Sequence, residues 1–343
     1  MNIMFYRCIS LKSLNLNNFD TSKVTDMSGC FYQYLSLIYL NINNFNTSLV
    51  TDMTGMFSYF GSLTTLNLEN FDTSLVTNIY LMFYYCFSLL SLNLNNFNTS
   101  LITNMEYLFS QCNKLTSLNI SNFNTSLVTD TNNMFSNCKS LKSLDLSSFN
   151  TALVTNINSM FLNCWSLTPL NLGNFYTPSL INMANAFNNI NSVISLNIDN
   201  LNTSLVTQMN SFLIYFYKLI SLNLNNFDIS KVTDVVYFLS NYNSKMILCL
   251  DKIKFSNETA HLIEPFRNRS DCNNTCFTNP EHKLIVEKNI CIDECYLDLE
   301  YKYEYNYLCY KECPNETINF SNYRCVDELF CTINNIYIFL ILI

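Results

Sequence analysis

The chain has 343 residues, 49% hydrophobic and 15% aromatic, enough apolar material for a substantial core and too much for a disordered polymer. Only 13% are charged, the net charge is −8, and the 18 Lys and Arg residues are scattered rather than clustered. No electrostatic footprint for a phosphate backbone results, so nucleic acid is excluded as an expected partner. Residues 1–250 hold 20 charged residues and residues 251–343 hold 24, which predicts two kinds of structure.

Near the N-terminus, Met4-Phe5-Tyr6-Arg7-Cys8 followed by SLKSLNLNN reads as the second half of a repeating unit, with the natural start expected upstream. From there Phe recurs at 19, 45, 71, 97, 123, 149 and 175, and Leu201 and Phe227 continue the series in steps of 26 without a slip. Residues 71–96, FDTSLVTNIYLMFYYCFSLLSLNLNN, are a representative copy. Fixed self-similarity at this period is the mark of a solenoid.

Within a unit, Leu89, Leu92 and Leu94, or Leu115, Leu118 and Ile120, alternate as in a short half-buried strand. Val76, Ile79, Met82 and Phe83, at steps of three, three and one, predict a helical or 3-10 turn on the other side. The polar N-N-F-[ND]-T-S stretch between them is the turn. The expected fold is an α/β leucine-rich-repeat solenoid, with one short parallel strand per 26-residue repeat. A single unit cannot offset the entropy of ordering its own backbone, so neighbours must complete its core.

The run LxxLxLxNFDTSxVTxMxxMFxxCxSL, from residue 4 to about 248, resembles the BspA-like leucine-rich-repeat surface proteins. The resemblance implies a curved β-solenoid on secreted or surface-anchored proteins, often associated with adhesion to host matrix or to other cells. It brings no catalytic residues, and the Asn-rich, charge-poor face departs from it.

The residue between the last two leucines of each strand should point outward: Asn41, Asn67, Asn93, Asn119, Asp145, Asn171, Asn197 and Asn223, preceded by Asn15. This column is either a polar recognition strip or a ladder of stacked amides. Two Thr columns, one from Thr21 to Thr203 and one from Thr25 to Thr233, either order water, as in ice-binding solenoids, or satisfy turn backbone. The column Asp26, Asp52, Asn78, Asn104, Asp130, Asn156, Asn182, Gln208 and Asp234 reads as helix-turn capping, since calcium loops need clustered oxygens and Gly, of which the chain has four.

Cys86, Cys112, Cys138 and Cys164 share the repeat position of Cys8 and read as buried thiols, with a disulfide between neighbours in the row as the alternative. Later in the chain, Cys272, Cys276, Cys291, Cys295, Cys309, Cys313, Cys325 and Cys331 fall at short spacings and read as disulfide candidates in a stapled module over residues 251–333, with zinc as the rival. Sequons at Asn257, Asn268, Asn273, Asn315 and Asn319 agree with an oxidising compartment. Residues 334–343 are an apolar tail, read either as a cut-off membrane anchor or as a cap on that module.

Gly-rich phosphate loops, H-E-x-x-H and G-x-S-x-G are absent, and the two His lie outside the repeats, so neither an enzyme nor a cofactor is expected. The expectation is a non-catalytic extracellular or cell-surface protein, its C-terminus either anchoring it in a membrane or capping the last module, binding a protein or glycan ligand through the sheet face. A structural spacer is the alternative, with an ice-binding solenoid behind it.

Overall fold

The structure, a computed structural model, describes residues 1–250 except 169, 173, 195, 235 and 243–245, then 253–257, 259 and 260, and beyond these only short strands between Lys283 and Phe339. It divides into two units, Met1–Arg269 and Ser270–Ile343, the first running past the expected boundary at 250.

In the first unit the L-x-L alternation turns one leucine inward and its neighbours outward, as a strand requires. Strands β1 (Ser13–Asn15), β2 (Tyr39–Asn41), β3 (Ser91–Asn93), β4 (Ser117–Asn119), β5 (Leu170–Asn171) and β6 (Leu196–Asn197) follow at this position, then β8 (Ser221–Asn223) and β10 (Ile247–Cys249). Pairing is parallel and in repeat register, with Leu14 opposite Leu40, Leu92 opposite Leu118 and Leu222 opposite Leu248. Leu144 is buried at the same repeat position, but residues 143–145 join no ladder. On the strand side a single backbone bond, from the Lys142 N–H to the Thr116 carbonyl at 3.3 Å, links that coil to the one before it. The strand side is therefore a row of two-stranded patches rather than the continuous sheet expected.

On the other side the helical expectation is corrected: among the described residues of the repeats no segment is a helix. The steps of three are real and mark tight turns, with the Met56 N–H donating to the Met53 carbonyl and the Ser58 N–H to the Gly55 carbonyl, both at 3.1 Å. Alternate N–H groups turn out of the coil instead. Those of Met53, Gly55, Phe57 and Tyr59 donate to the carbonyls of Asn78, Tyr80, Met82 and Tyr84, at 3.0, 2.8, 3.0 and 2.7 Å. Turning them out needs a left-handed residue twice per coil, supplied for example by Gly55 and Tyr59 or by Asn133 and Asn137. Near Leu213–Ile214 (β7) and Leu239–Ser240 (β9) this side becomes a true parallel strand pair.

The core between the two sides is ordered by column. Phe5, Phe31, Phe57, Phe83, Phe109, Phe135, Phe161 and Phe187 stack face to face, with centroids 5.7 to 5.9 Å apart. The column breaks at Phe212, which meets Phe187 edge-on at 75° because the Phe has moved one place earlier in the last repeats.

In the second unit, Lys283–Ile285, Ile290–Ile292, Tyr303–Tyr305 and Leu308–Tyr310 form one four-stranded sheet, and two further hairpins follow. The pairing of the eight C-terminal cysteines, and hence the stapled module, lies outside the described residues. Among the described residues no helix is long and apolar enough to cross a membrane.

Candidate functional site

Strand alternation places the predicted polar column on the outside: Asn67, Asn93, Asn119, Asp145 and Asn197 are exposed and Asn41 and Asn223 half-buried, while the Asn171 side chain lies outside the described residues. Among the described side chains from Asn41 to Asn197 the amides do not form a ladder with one another. Each described side-chain oxygen instead accepts the N–H two residues on, as Asn93 Oδ1 does from Asn95 at 3.1 Å and Asp145 Oδ1 from Ser147 at 2.9 Å. This Asx turn bends the chain away from the strand and fixes the orientation of the side chain. The Ser147 hydroxyl, and after it the Ser147 N–H, hold the Asp145 carboxyl below the usual range. A true amide ladder exists elsewhere, where Asn189 Nδ2 donates to Asn163 Oδ1 at 2.7 Å and Asn163 Nδ2 to Asn137 Oδ1 at 2.9 Å.

The first Thr column is buried and structural. Thr99 Oγ1 donates to the Asn124 carbonyl at 2.9 Å and accepts the Asn124 N–H at 2.8 Å, and its neighbours repeat the pattern. These hydroxyls are not available to order surface water. The second column faces out or is half-buried, and hydroxyls such as that of Thr51 donate to the preceding Thr carbonyl at 3.2 Å. Beside it, Leu49, Leu75, Leu101, Leu127 and Leu153 form an exposed row whose direction the repeat formula did not reveal.

The acidic and amide column lies on the turn side, where parallel bridges run from Asp26 through Asp52 to Asn78 and again from Asn104 through to Asp234. Its oxygens cap turns rather than helices, as when Asp52 Oδ1 accepts the Thr54 N–H at 2.7 Å. Among the described residues no three His, Cys, Asp or Glu side chains are grouped to hold a metal. Burial pushes the Asp130 carboxyl up, against bonds from the Asn132 N–H and Asn156 that pull it down.

Between Asn78 and Asn104 the ladder of bridges is interrupted. An open groove of about 470 Å³ lies there, lined by Thr77, Asn78, Tyr80, Thr103, Asn104 and Glu106. Glu106 is clamped, with Oε2 accepting from Asn104 Nδ2 at 3.0 Å and Oε1 from Asn132 Nδ2 at 3.2 Å. Burial, then the Glu106 charge, pushes the Tyr80 phenol up. From the groove an aromatic track runs through Tyr80, Tyr107, Tyr84, Tyr59 and Tyr32, each ring 5.2 to 6.2 Å from the next. Burial and the Tyr59 hydroxyl push the Tyr84 phenol up to about 12. The groove was missed in sequence, although one signal pointed to it. In the column Ser28, Thr54, Tyr80, Glu106, Asn132, Asn158 and Ala184, Tyr80 and Glu106 are the bulkiest adjacent pair.

The Cys row behaves as expected of small buried hydrophobes. Cys86, Cys112, Cys138 and Cys164 are free and buried, and each thiol donates to the Phe carbonyl of the coil before it at 3.1 to 3.3 Å.

Stacked coils, one core column per repeat position and two in-register sides define a repeat solenoid. Three overlapping matches, over residues 1–94, 86–195 and 162–260, place the chain in the family described as Mycoplasma protein of unknown function, DUF285. No curated protein and no solved structure is similar to it at a significant level.

Proposed function

We propose that the chain is a non-catalytic binding or adhesion protein of the extracellular face of a cell, related to the BspA-like leucine-rich-repeat surface proteins, and that its strand face contacts a protein or glycan. The observation that carries the reading is the column from Asn41 to Asn223, repeated once per coil and held in orientation by the bond from the N–H two residues on. A row of polar groups fixed before contact loses little conformational freedom when a partner binds. The repeat formula and the C-terminal sequons support surface display. Spacing without a ligand is the second reading, favoured by the same bonds, because each oxygen so engaged is already satisfied.

The test is binding of the whole chain to immobilised matrix proteins and to glycan-bearing cells, with Asn93→Ala/Asn119→Ala as the strand-face variant. Binding that the double substitution weakens supports the reading. A folded chain that binds neither surface leaves the spacer.

A further inference from the structure

From the interrupted ladder we infer a second site, on the turn side, for one unit of a neutral saccharide. It shares the reading of the chain as a binding protein but uses none of the strand-face residues.

The inference starts from backbone accounting. In the closed rungs the N–H of each exposed Thr donates to the Thr one coil back, as Thr77 does to Thr51 at 2.9 Å and Thr129 to Thr103 at 2.8 Å. Likewise the Met53 N–H donates to Asn78 and the Met105 N–H to Asp130, at 3.0 and 2.9 Å. At the opening the matching bonds, from Thr103 to Thr77 and from Ile79 to Asn104, are not made, although all four residues are described. One rung on, the ladder closes again, with the Leu81 N–H donating to Glu106 at 3.2 Å. Two donors and two acceptors are thus left to a guest or to water.

The chemistry of the lining selects the guest. Freed N–H and C=O groups, Thr hydroxyls and an amide-clamped carboxylate offer both donors and acceptors, which suits hydroxyl groups that donate and accept at once. Tyr80 adds an apolar ring for the C–H face of a sugar. Glu106 is the sole charged group of the lining and Asp130 is bonded to the adjoining Asn132, so phosphate, sulfate or carboxylate would meet repulsion. An added peptide strand needs a run of unpaired backbone along a sheet edge, and this opening is one rung long. The Tyr107–Tyr84–Tyr59 track gives further saccharide units a surface to follow.

The full chain is titrated with neutral tetrasaccharides of glucose, galactose, mannose and N-acetylglucosamine, and with a heparin-derived tetrasaccharide. At least one neutral sugar binds and the heparin fragment does not. Tyr80→Ala and Glu106→Gln each weaken binding by about tenfold, the scale of one good hydrogen bond, while Tyr80→Phe retains it. Amide exchange supplies a readout that does not depend on the variants. The Thr103 and Ile79 N–H groups exchange faster than those of Thr77 and Met105, and slow when the sugar is added. The site is refuted by a folded chain that binds none of the neutral sugars, by binding unchanged in both weakening variants, or by Thr103 and Ile79 amides protected like their neighbours in the unliganded chain. Loss of the sugar titration with Asn93→Ala/Asn119→Ala moves the site to the strand face, whereas failure of matrix and cell binding alone removes only the reading of the previous section.

Discussion

Phe83 and Phe109, 26 residues apart, stack with their centroids 5.7 Å apart and an interplanar angle of 0°. Each ring is therefore half of two contacts, one to the coil below and one to the coil above. Removing a central ring opens a cavity that coils fixed by their own hydrogen bonds cannot collapse to fill.

Phe109→Ala is expected to cost about 3–5 kcal/mol, the range for a large buried aromatic. Phe5→Ala, at the first coil with one stacking neighbour in the column, should cost clearly less. Urea unfolding of the two variants measures the difference. Equal losses would mean that the column does not carry stability from coil to coil.

Thr99 joins two coils through one hydroxyl, which both donates to and accepts from Asn124. Valine has the same shape and can do neither, leaving the part-buried Asn124 N–H and C=O without that partner. Thr99→Val is expected to lower stability by about 1–3 kcal/mol, and Thr99→Ser to keep most of it. If serine and valine cost the same, the methyl group rather than the hydroxyl is what the position needs.

These two sites also show what can be read in advance. The 26-residue step and the register of Leu92 on Leu118 follow from identical residues at identical spacing. The turn side did not follow, because steps of three in Val76, Ile79 and Met82 fix where side chains point but not where N–H groups go. Half of those groups leave the coil through left-handed residues such as Leu81 and Tyr107, which local preference argues against. The polar column was legible as outward-facing, and its turn-forming oxygens were not, since an Asn ladder and an Asx turn use the same residue type. The groove was hidden for a related reason: Thr77 and Thr103 flank it just as Thr residues flank the closed rungs.

Burial raises the Cys164 thiol from its ordinary 9.0 to about 12. Below pH 9 the thiol is neutral in both folded and unfolded chains, so it adds no pH dependence. Between 9 and 12 it ionises only in the unfolded chain, and stability falls by about 1.4 kcal/mol per pH unit for one such thiol. Cys164→Ala should therefore flatten the decline measured by urea unfolding from pH 8 to 10.5. Peptide mapping after alkylation at pH 8 should find Cys8 labelled in the folded chain and Cys164 labelled only after unfolding. A slope that Cys164→Ala leaves unchanged would contradict the burial.

Tyr237 has a φ of 58°, a left-handed conformation in which the Cβ of an L residue crowds its own carbonyl. The equivalent places in other coils include Gly29, Gly55, Asn133 and Asn185, residue types that tolerate this region, and also Ile3, Leu81, Tyr107, Ser159 and Ser211, which carry the same strain. Tyr237 is also 68% exposed, so replacing it removes little packing along with the strain. Tyr237→Asn is expected to stabilise by about 0.5–1 kcal/mol, part of the roughly 1–2 kcal/mol that the conformation costs most residues. Tyr237→Val should destabilise, because a β-branched side chain fits this region worst. Thermal unfolding ranks the three chains. The order Asn, Tyr, Val in falling stability supports a strained backbone at the turn, and an unchanged midpoint in both variants would show that the turn relaxes without it.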